Sequence, residues 1–305
     1  MLAFISRFST QLLASCVLVG FALPNFSNAL LPLLPAVLFF LMLLTIVSLN
    51  IKTLVTDLAQ ASVWLYAVWH TFGVTILIMT LAWLLNIDSK LYLAIAATCA
   101  TGSLFASPAI VRSLGLDAQR CMAMTIASTL LMPLVLLLNG WLFSRFNGNE
   151  QLQLDMQIYS LRLAIFIVLP IMISLLVHKL LKQSLIEQAL KQIRPFTIVL
   201  VFFFPLGLMG AFREIFDETP SKALEYLLIA SGVCLVLFIS SFLLYYRQGK
   251  NLAIISAITA TNRNVLLTYS ITGSFLGLEY MIYMGAIQLP IYLLPMLVKL
   301  AVRPS

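Results

Sequence analysis

Between Arg7 and Lys52 the chain carries no Asp, Glu, Lys or Arg. Such a stretch excludes most water-soluble folds, because a solvated exterior needs charges at short intervals. Similar intervals recur to the C-terminus, between Asp57 and Asp88, Lys90 and Arg112, Arg120 and Arg145, and Arg194 and Arg213. Across the whole chain 62% of residues are hydrophobic and 10% are charged, against about 25% charged in an ordinary soluble domain. Lipid must therefore be the solvent over most of the exterior, and the fold class is all-α, since only helices and closed barrels satisfy their backbone in hydrocarbon.

A helix needs about 20 apolar residues to cross a core of about 30 Å. On that measure the intervals predict ten spans, near 8–23, 32–50, 61–86, 91–112, 119–143, 159–178, 195–212, 225–246, 251–276 and 280–299. Pro24, Pro32 and Pro35 divide the first long stretch into two spans. The segment up to Ser27-Asn28-Ala29 also has the outline of a signal peptide, but counting it as a span gives five plus five. The polar connections near 144–158, 179–194 and 213–224 are too short to bury a core. The chain is expected to be one transmembrane domain of two repeats, about 1–145 and 156–305.

Orientation follows from the basic residues. With the N-terminus inside, the cytoplasmic side receives Arg7, Lys52, Arg112, Arg120, Lys179, Lys182, Lys191, Arg194, Arg247, Lys250, Lys299 and Arg303. The outer side receives Lys90, Arg145, Arg162, Arg213 and Lys222. The bias predicts both termini in the cytoplasm of a bacterial inner membrane. It also accounts for the net charge of +7 without a nucleic-acid partner, because no basic run is interleaved with aromatics.

Two spans contain interruptions. The fourth carries Thr98, Thr101, Gly102, Ser103, Ser107 and Pro108. Pro108 lacks an N–H and disfavours helix before it, and Gly102 loosens the backbone. The segment 102–108 should kink or unwind. The ninth reads Ser256-Ala257-Ile258-Thr259-Ala260-Thr261-Asn262-Arg263-Asn264 before resuming with Val265-Leu266-Leu267. Arg at a span centre costs about 2.5–3.5 kcal/mol on insertion scales, so Arg263 must face protein or water. Matched interruptions in two halves point to an inverted-repeat secondary transporter with its site at mid-membrane. Five spans per half also insert the halves upside down to one another.

Catalysis finds little support. There is no Gly-rich phosphate loop, HExxH, GxSxG or paired mid-membrane carboxylate, and an enzyme is not expected. Cys16, Cys99, Cys121 and Cys234 form no CxxC pair and read as buried small side chains, not as a disulfide or metal framework. His70, inside the third span, is either hydrogen-bonded packing or a proton relay. Asp57 and Asp117 read as loop or helix-terminus residues, and Glu279 as a cap at the start of the tenth span.

The runs Ala106-Ser107-Pro108-Ala109-Ile110, Leu114-Gly115 and Met124-Thr125-Ile126-Ala127-Ser128-Thr129-Leu130-Leu131-Met132-Pro133-Leu134 resemble the helix 4–5 region of the bile acid:sodium symporter family. Asn262-Arg263-Asn264-Val265-Leu266-Leu267 resembles the Gly-Asn-Arg-Asn variant of some bacterial members. The resemblance implies a panel of spans one, two, six and seven, a core of spans three to five and eight to ten, and a crossing of the broken fourth and ninth spans. Sodium would bind behind the crossing and substrate in front.

The breaks and the resemblance together make Ser103, Ser107, Pro108, Thr125, Ser128, Thr259, Asn262, Arg263 and Asn264 the expected substrate or ion residues, with His70, Thr75 and Cys121 in second rank; Asn262, Asn264 and Thr259 can equally be interhelical hydrogen-bond glue, and Thr125 and Ser128 can bond within their own helix. The family's Ser-Asn is here Ser107-Pro108, its helix 9 acid aligns with Thr259, and the following Gln aligns with Arg263. A site that loses a carboxylate and gains a guanidinium binds Na⁺ poorly. Transport of a small organic anion without sodium coupling is the expectation, with Na⁺ or H⁺ the candidate coupling ion and no other cofactor. Three roles for Arg263 stay open: bonding to carbonyls of the broken fourth span, replacing a bound cation, or holding an anionic substrate. Two other readings stay open as well, an exporter resembling arsenite permeases with a reactive Cys near the crossing, and a non-transporting receptor of the same fold. Oligomeric state is not encoded in any of these features.

Overall fold

The computed structural model describes residues 9–48, 51–146 and 155–301, and these are predominantly helical. Arg7, Arg303 and the middle of the 144–158 connection lie outside the described residues. In chain order the elements are α1 (Ser9–Ala22), α2 (Pro24–Val47), α3 (Ile51–Leu58), α4 (Ala61–Leu84), α5 (Ser89–Ala100), α6 (Ser107–Ser113), α7 (Ala118–Phe146), α8 (Met156–Leu180), α9 (Gln183–Leu208), α10 (Gly210–Glu218), α11 (Pro220–Tyr245), α12 (Lys250–Thr261), α13 (Val265–Thr272), α14 (Gly277–Ala286) and α15 (Gln288–Ala301). Among the described residues seven helices are long and apolar enough to cross a membrane, and α1 and α5 are shorter apolar helices. The molecule is a multi-pass membrane protein.

Helix boundaries differ from the sequence expectation in two informative places. The second span begins at Pro24, not near 32, because proline is tolerated in a first turn where its missing N–H has no partner to lose. Pro32 falls in a short 3-10 turn, Leu31–Leu33, and Pro35 in the first turn of the following α-helix. Ser27-Asn28-Ala29 consequently lies inside α2, where Ser27 is buried and Asn28 Nδ2 donates to Glu214. The basic segment expected as a connection over 179–194 is instead largely the first turns of α9. Charged residues outside the apolar core are compatible with helix, and hydropathy does not register them.

Local signals explain other ends. Asp88 caps α5 by accepting the Lys90 amide, Asp117 caps α7 through the amides of Gln119 and Arg120, and Asp155 caps α8 through those of Gln157 and Ile158. Glu279 does not cap α14, whose N-cap is Leu276; it sits in the first turn and pairs with Lys222 at 3.7 Å. Asp57 accepts from Gln60 and from Gln119, which ties the end of α3 to the start of α7.

Packing separates interior from peripheral helices. The apolar window of α7 is 56% buried and that of α8 only 17%, so α7 runs through the middle while α8 presents most of its surface outward. α7 packs against α4, α5, α6 and α12; α11 packs along α12; α14 packs against α5, α10 and α11. α9 lies against α1 and α2, and α8 against α2 and α13. Leu228, Trp83 and Leu180 are exposed large apolar side chains on this exterior, the surface that lipid covers.

Close backbone approach holds α1 to α9. A Cβ at Gly20 would come within 2.7 Å of the Leu206 carbonyl oxygen and 2.8 Å of that of Pro205. Small residues at such contacts let helices pack without a hydrophobic driving force. Gly20→Val should lower stability by about 1–3 kcal/mol through overpacking, read as a fall in the melting temperature of the purified protein. Gly232→Ala, where a Cβ meets nothing within 4 Å, should not lower it.

Candidate functional site

Both sequence-predicted interruptions are present and they meet. α5 ends at Ala100 and α6 begins at Ser107; α12 ends at Thr261 and α13 begins at Val265. Ser103 and Arg263 pair as an isolated antiparallel β-bridge. The Leu104 amide donates to the Asn262 carbonyl at 2.6 Å, and the Asn264 amide donates to the Gly102 carbonyl at 2.9 Å. Each unwound segment thus satisfies the backbone groups that the other's break releases. That resolves the problem of open backbone in an apolar interior, where each unpaired group costs several kcal/mol.

Arg263 is 1% exposed, and its guanidinium is wrapped in carbonyls. Nη1 donates to the Cys99 and Thr101 carbonyl oxygens at 2.8 Å each, and Nη2 to that of His70 at 3.0 Å. The first two belong to the C-terminal end of α5, the negative end of its dipole. His70 lies in a π-turn of α4, Trp69–Gly73, a distortion that commonly marks functional positions. Among the described residues the ion pairs are Arg213 with Asp217 and Lys222 with Glu279, so no carboxylate neutralises Arg263. Its charge is met by backbone dipoles. Of the three sequence roles, bonding to the broken fourth span has its geometry realised.

Around this pair a chain of hydroxyls closes the interior. The Ser103 amide donates to Ser128 Oγ at 3.1 Å. Ser103 Oγ lies 3.0 Å from Tyr66 OH and 3.4 Å from His70 Nε2, and Tyr66 OH lies 2.9 Å from His70 Nδ1. His70, Ser103 and Ser128 therefore share one network with Tyr66, which sequence reasoning missed. The Tyr66–His70 spacing of four places both on one helix face and was the available signal. The Thr101 and Thr268 hydroxyls meet across the crossing, another contact that only the tertiary fold brings about.

Other expected residues stand further out. Thr125 donates to the Cys121 carbonyl of its own helix, and Thr75 to that of Thr71. Thr259 donates to the Ile255 carbonyl, and its oxygen lies 3.1 Å from Cys121 Sγ. That pair joins α7 to α12 before the break, not at it. Asn264 Oδ1 accepts the Leu267 amide at the start of α13. The side-chain amide of Asn262, Asn264 Nδ2, Arg263 Nε and Ser107 Oγ are buried without a partner among the described residues.

A cavity of about 280 Å³ borders the end of the first break. Phe105, Ala106, Pro108 and Ala109 line it on the side of the first break; Leu41 and Thr45 of α2, Ser48 just past its end, and Ile193, Thr197 and Val201 of α9 line it as well. Arg112 is its one charged lining residue among the described residues. Of the expected site residues Pro108 alone is in its wall, and none of the cysteines is.

Gly102 is needed for the crossing. A Cβ there would lie 2.8 Å from the Thr129 Cα and 3.0 Å from its amide nitrogen, backbone that cannot move aside. Gly102→Ala should destabilise by about 1–3 kcal/mol. Ser128→Ala, which strands the buried Ser103 amide, should cost about 1–3 kcal/mol. Thermal unfolding in detergent measures both, against Ser231→Ala, which removes only a bond within α11.

A sequence model of the sodium bile acid symporter family matches residues 35–215, more than half of the chain. The match spans the first break and stops before the second. No curated protein matches the chain. The coverage, the apolar helices and the break inside the matched region agree, and the chain belongs to the sodium bile acid symporter family, whose members are membrane transporters and not enzymes.

Proposed function

We propose that this protein is a secondary transporter of a small organic anion that works by alternating access without sodium coupling. The observation that carries the reading is the cavity, which ends on the unwound segment of one helix group and is walled on the other side by α2 and α9. On this reading α1, α2, α8 and α9 form a panel, α4–α7 and α11–α15 form a core, and the ten spans are two inverted repeats. The cavity lies at the end that carries Arg112 and Gln119, which the charge rule makes the cytoplasmic end, and on this reading it is the inward-facing opening. Its volume suits a small acid, lying near the lower limit of about 300–1,000 Å³ typical of small-molecule pockets. Arg112, with hydroxyls from Thr45, Ser48, Thr53 and Thr197, supports an anionic headgroup.

The arsenite-exporter reading loses ground here. Cys99 and Cys121 are fully buried, and Cys121 contacts Thr259 instead of the cavity. The receptor reading keeps the same fold and differs only in having no flux.

Rocking of panel against core should close the cavity. With cysteines at Thr45 and Ala109, one in each wall, crosslinking should abolish uptake into proteoliposomes and reduction should restore it. Undiminished uptake in the locked protein contradicts the mechanism, and no flux of any organic acid favours a receptor. Replacing Na⁺ by choline should leave uptake unchanged to within about two-fold, since no carboxylate of the described residues completes an oxygen cage of the kind hard cations need; abolished uptake contradicts sodium independence.

A further inference from the structure

We propose that the Arg263 guanidinium is a covalently tethered cation filling an intramembrane monovalent-cation site, and that removing it opens this site to a cation from solution. The inference rests on the reading of the crossing as the centre of a transporter, and it adds what the crossing binds.

Three observations converge. The Cys99, Thr101 and His70 carbonyl oxygens come from two different helices and aim at one group, at 2.8, 2.8 and 3.0 Å. Carbonyls at the unwound end of a broken helix are the usual intramembrane ligands of a monovalent cation. The charge is fully buried with no carboxylate partner among the described residues, so positive charge is what the surrounding dipoles are arranged to hold. Finally, the guanidinium is held away from the cavity wall, which Arg263 does not line. A substrate-binding arginine would present its fork to the cavity; this one turns both terminal nitrogens to backbone. Arg263 Nε is unpartnered, so the fork and not the stem makes the site.

A tethered cation is always bound, which removes the need for a soluble one. A neutral side chain should leave three convergent carbonyls without a donor, a site for guanidinium or another small monovalent cation. The fork geometry makes guanidinium the best fit.

The test is thermal unfolding of the purified protein, which requires no transport. Arg263→Ala and Arg263→Gln should melt below wild type, and each should regain about 2 °C or more with millimolar guanidinium chloride. Wild type should not respond, and tetramethylammonium chloride at equal concentration should move none of them. Arg263→Lys, which keeps a tethered charge, should melt closer to wild type than either neutral variant and should not respond to guanidinium. If the neutral variants cannot be purified while Arg263→Lys can, the requirement for charge stands and the proposal is supported. Failure of the lysine variant together with the neutral ones overturns it, as does a purified neutral variant indifferent to guanidinium. Absence of flux in wild type bears on the transporter reading alone, because the melting response is independent of it.

Discussion

A buried guanidinium held by backbone carbonyls is the interaction on which the rest of this structure depends. Hydrocarbon tolerates neither an open backbone nor a bare charge. Here each requirement meets the other. The break in one span exposes carbonyls at Cys99 and Thr101, and the break in the other supplies the positive charge that binds them. The β-bridge between Ser103 and Arg263 then pairs the Leu104 and Asn264 amides. Two defects, each costly alone, bond each other's backbone when they cross, while the Asn262 side-chain amide and Arg263 Nε stay without a partner among the described residues.

That unit sets demands on its surroundings. Gly102 must be glycine because the segment passes within van der Waals distance of the Thr129 backbone. Ser128 must offer an oxygen to the Ser103 amide, and the π-turn of α4 presents the third carbonyl. The apolar helices around it supply the lipid-facing shell. The cavity touches the end of the first break, at Phe105 and Ala106, and not the bonded crossing itself.

The sequence carried much of this and hid a definable part. The breaks were legible because Gly, Pro, Asn and Arg within apolar spans have few bland explanations, and charge-free intervals marked most spans to within a few residues. Their meeting is an expectation of the family resemblance, since no local signal in either segment names the other. Two boundaries differ: Pro24 starts a helix instead of dividing two, and the charged first turns of α9 are helix where hydropathy registers only a polar connection. The cavity wall and the Tyr66–His70–Ser103 network were not legible, because they join residues that only long-range packing brings together. Arg263 was recognised as intramembrane, but the direction of its fork, to carbonyls and not to the cavity, is a property of the tertiary fold.

The most direct measurement is hydrogen–deuterium exchange at the crossing, comparing wild type with Arg263→Gln. If one guanidinium holds both breaks together, the Leu104 and Asn264 amides exchange slowly in wild type, and both segments, 101–106 and 262–266, lose protection in concert in the variant. Loss confined to residues beside 263, with 101–106 still protected, would show that the two broken helices are held by something other than this charge.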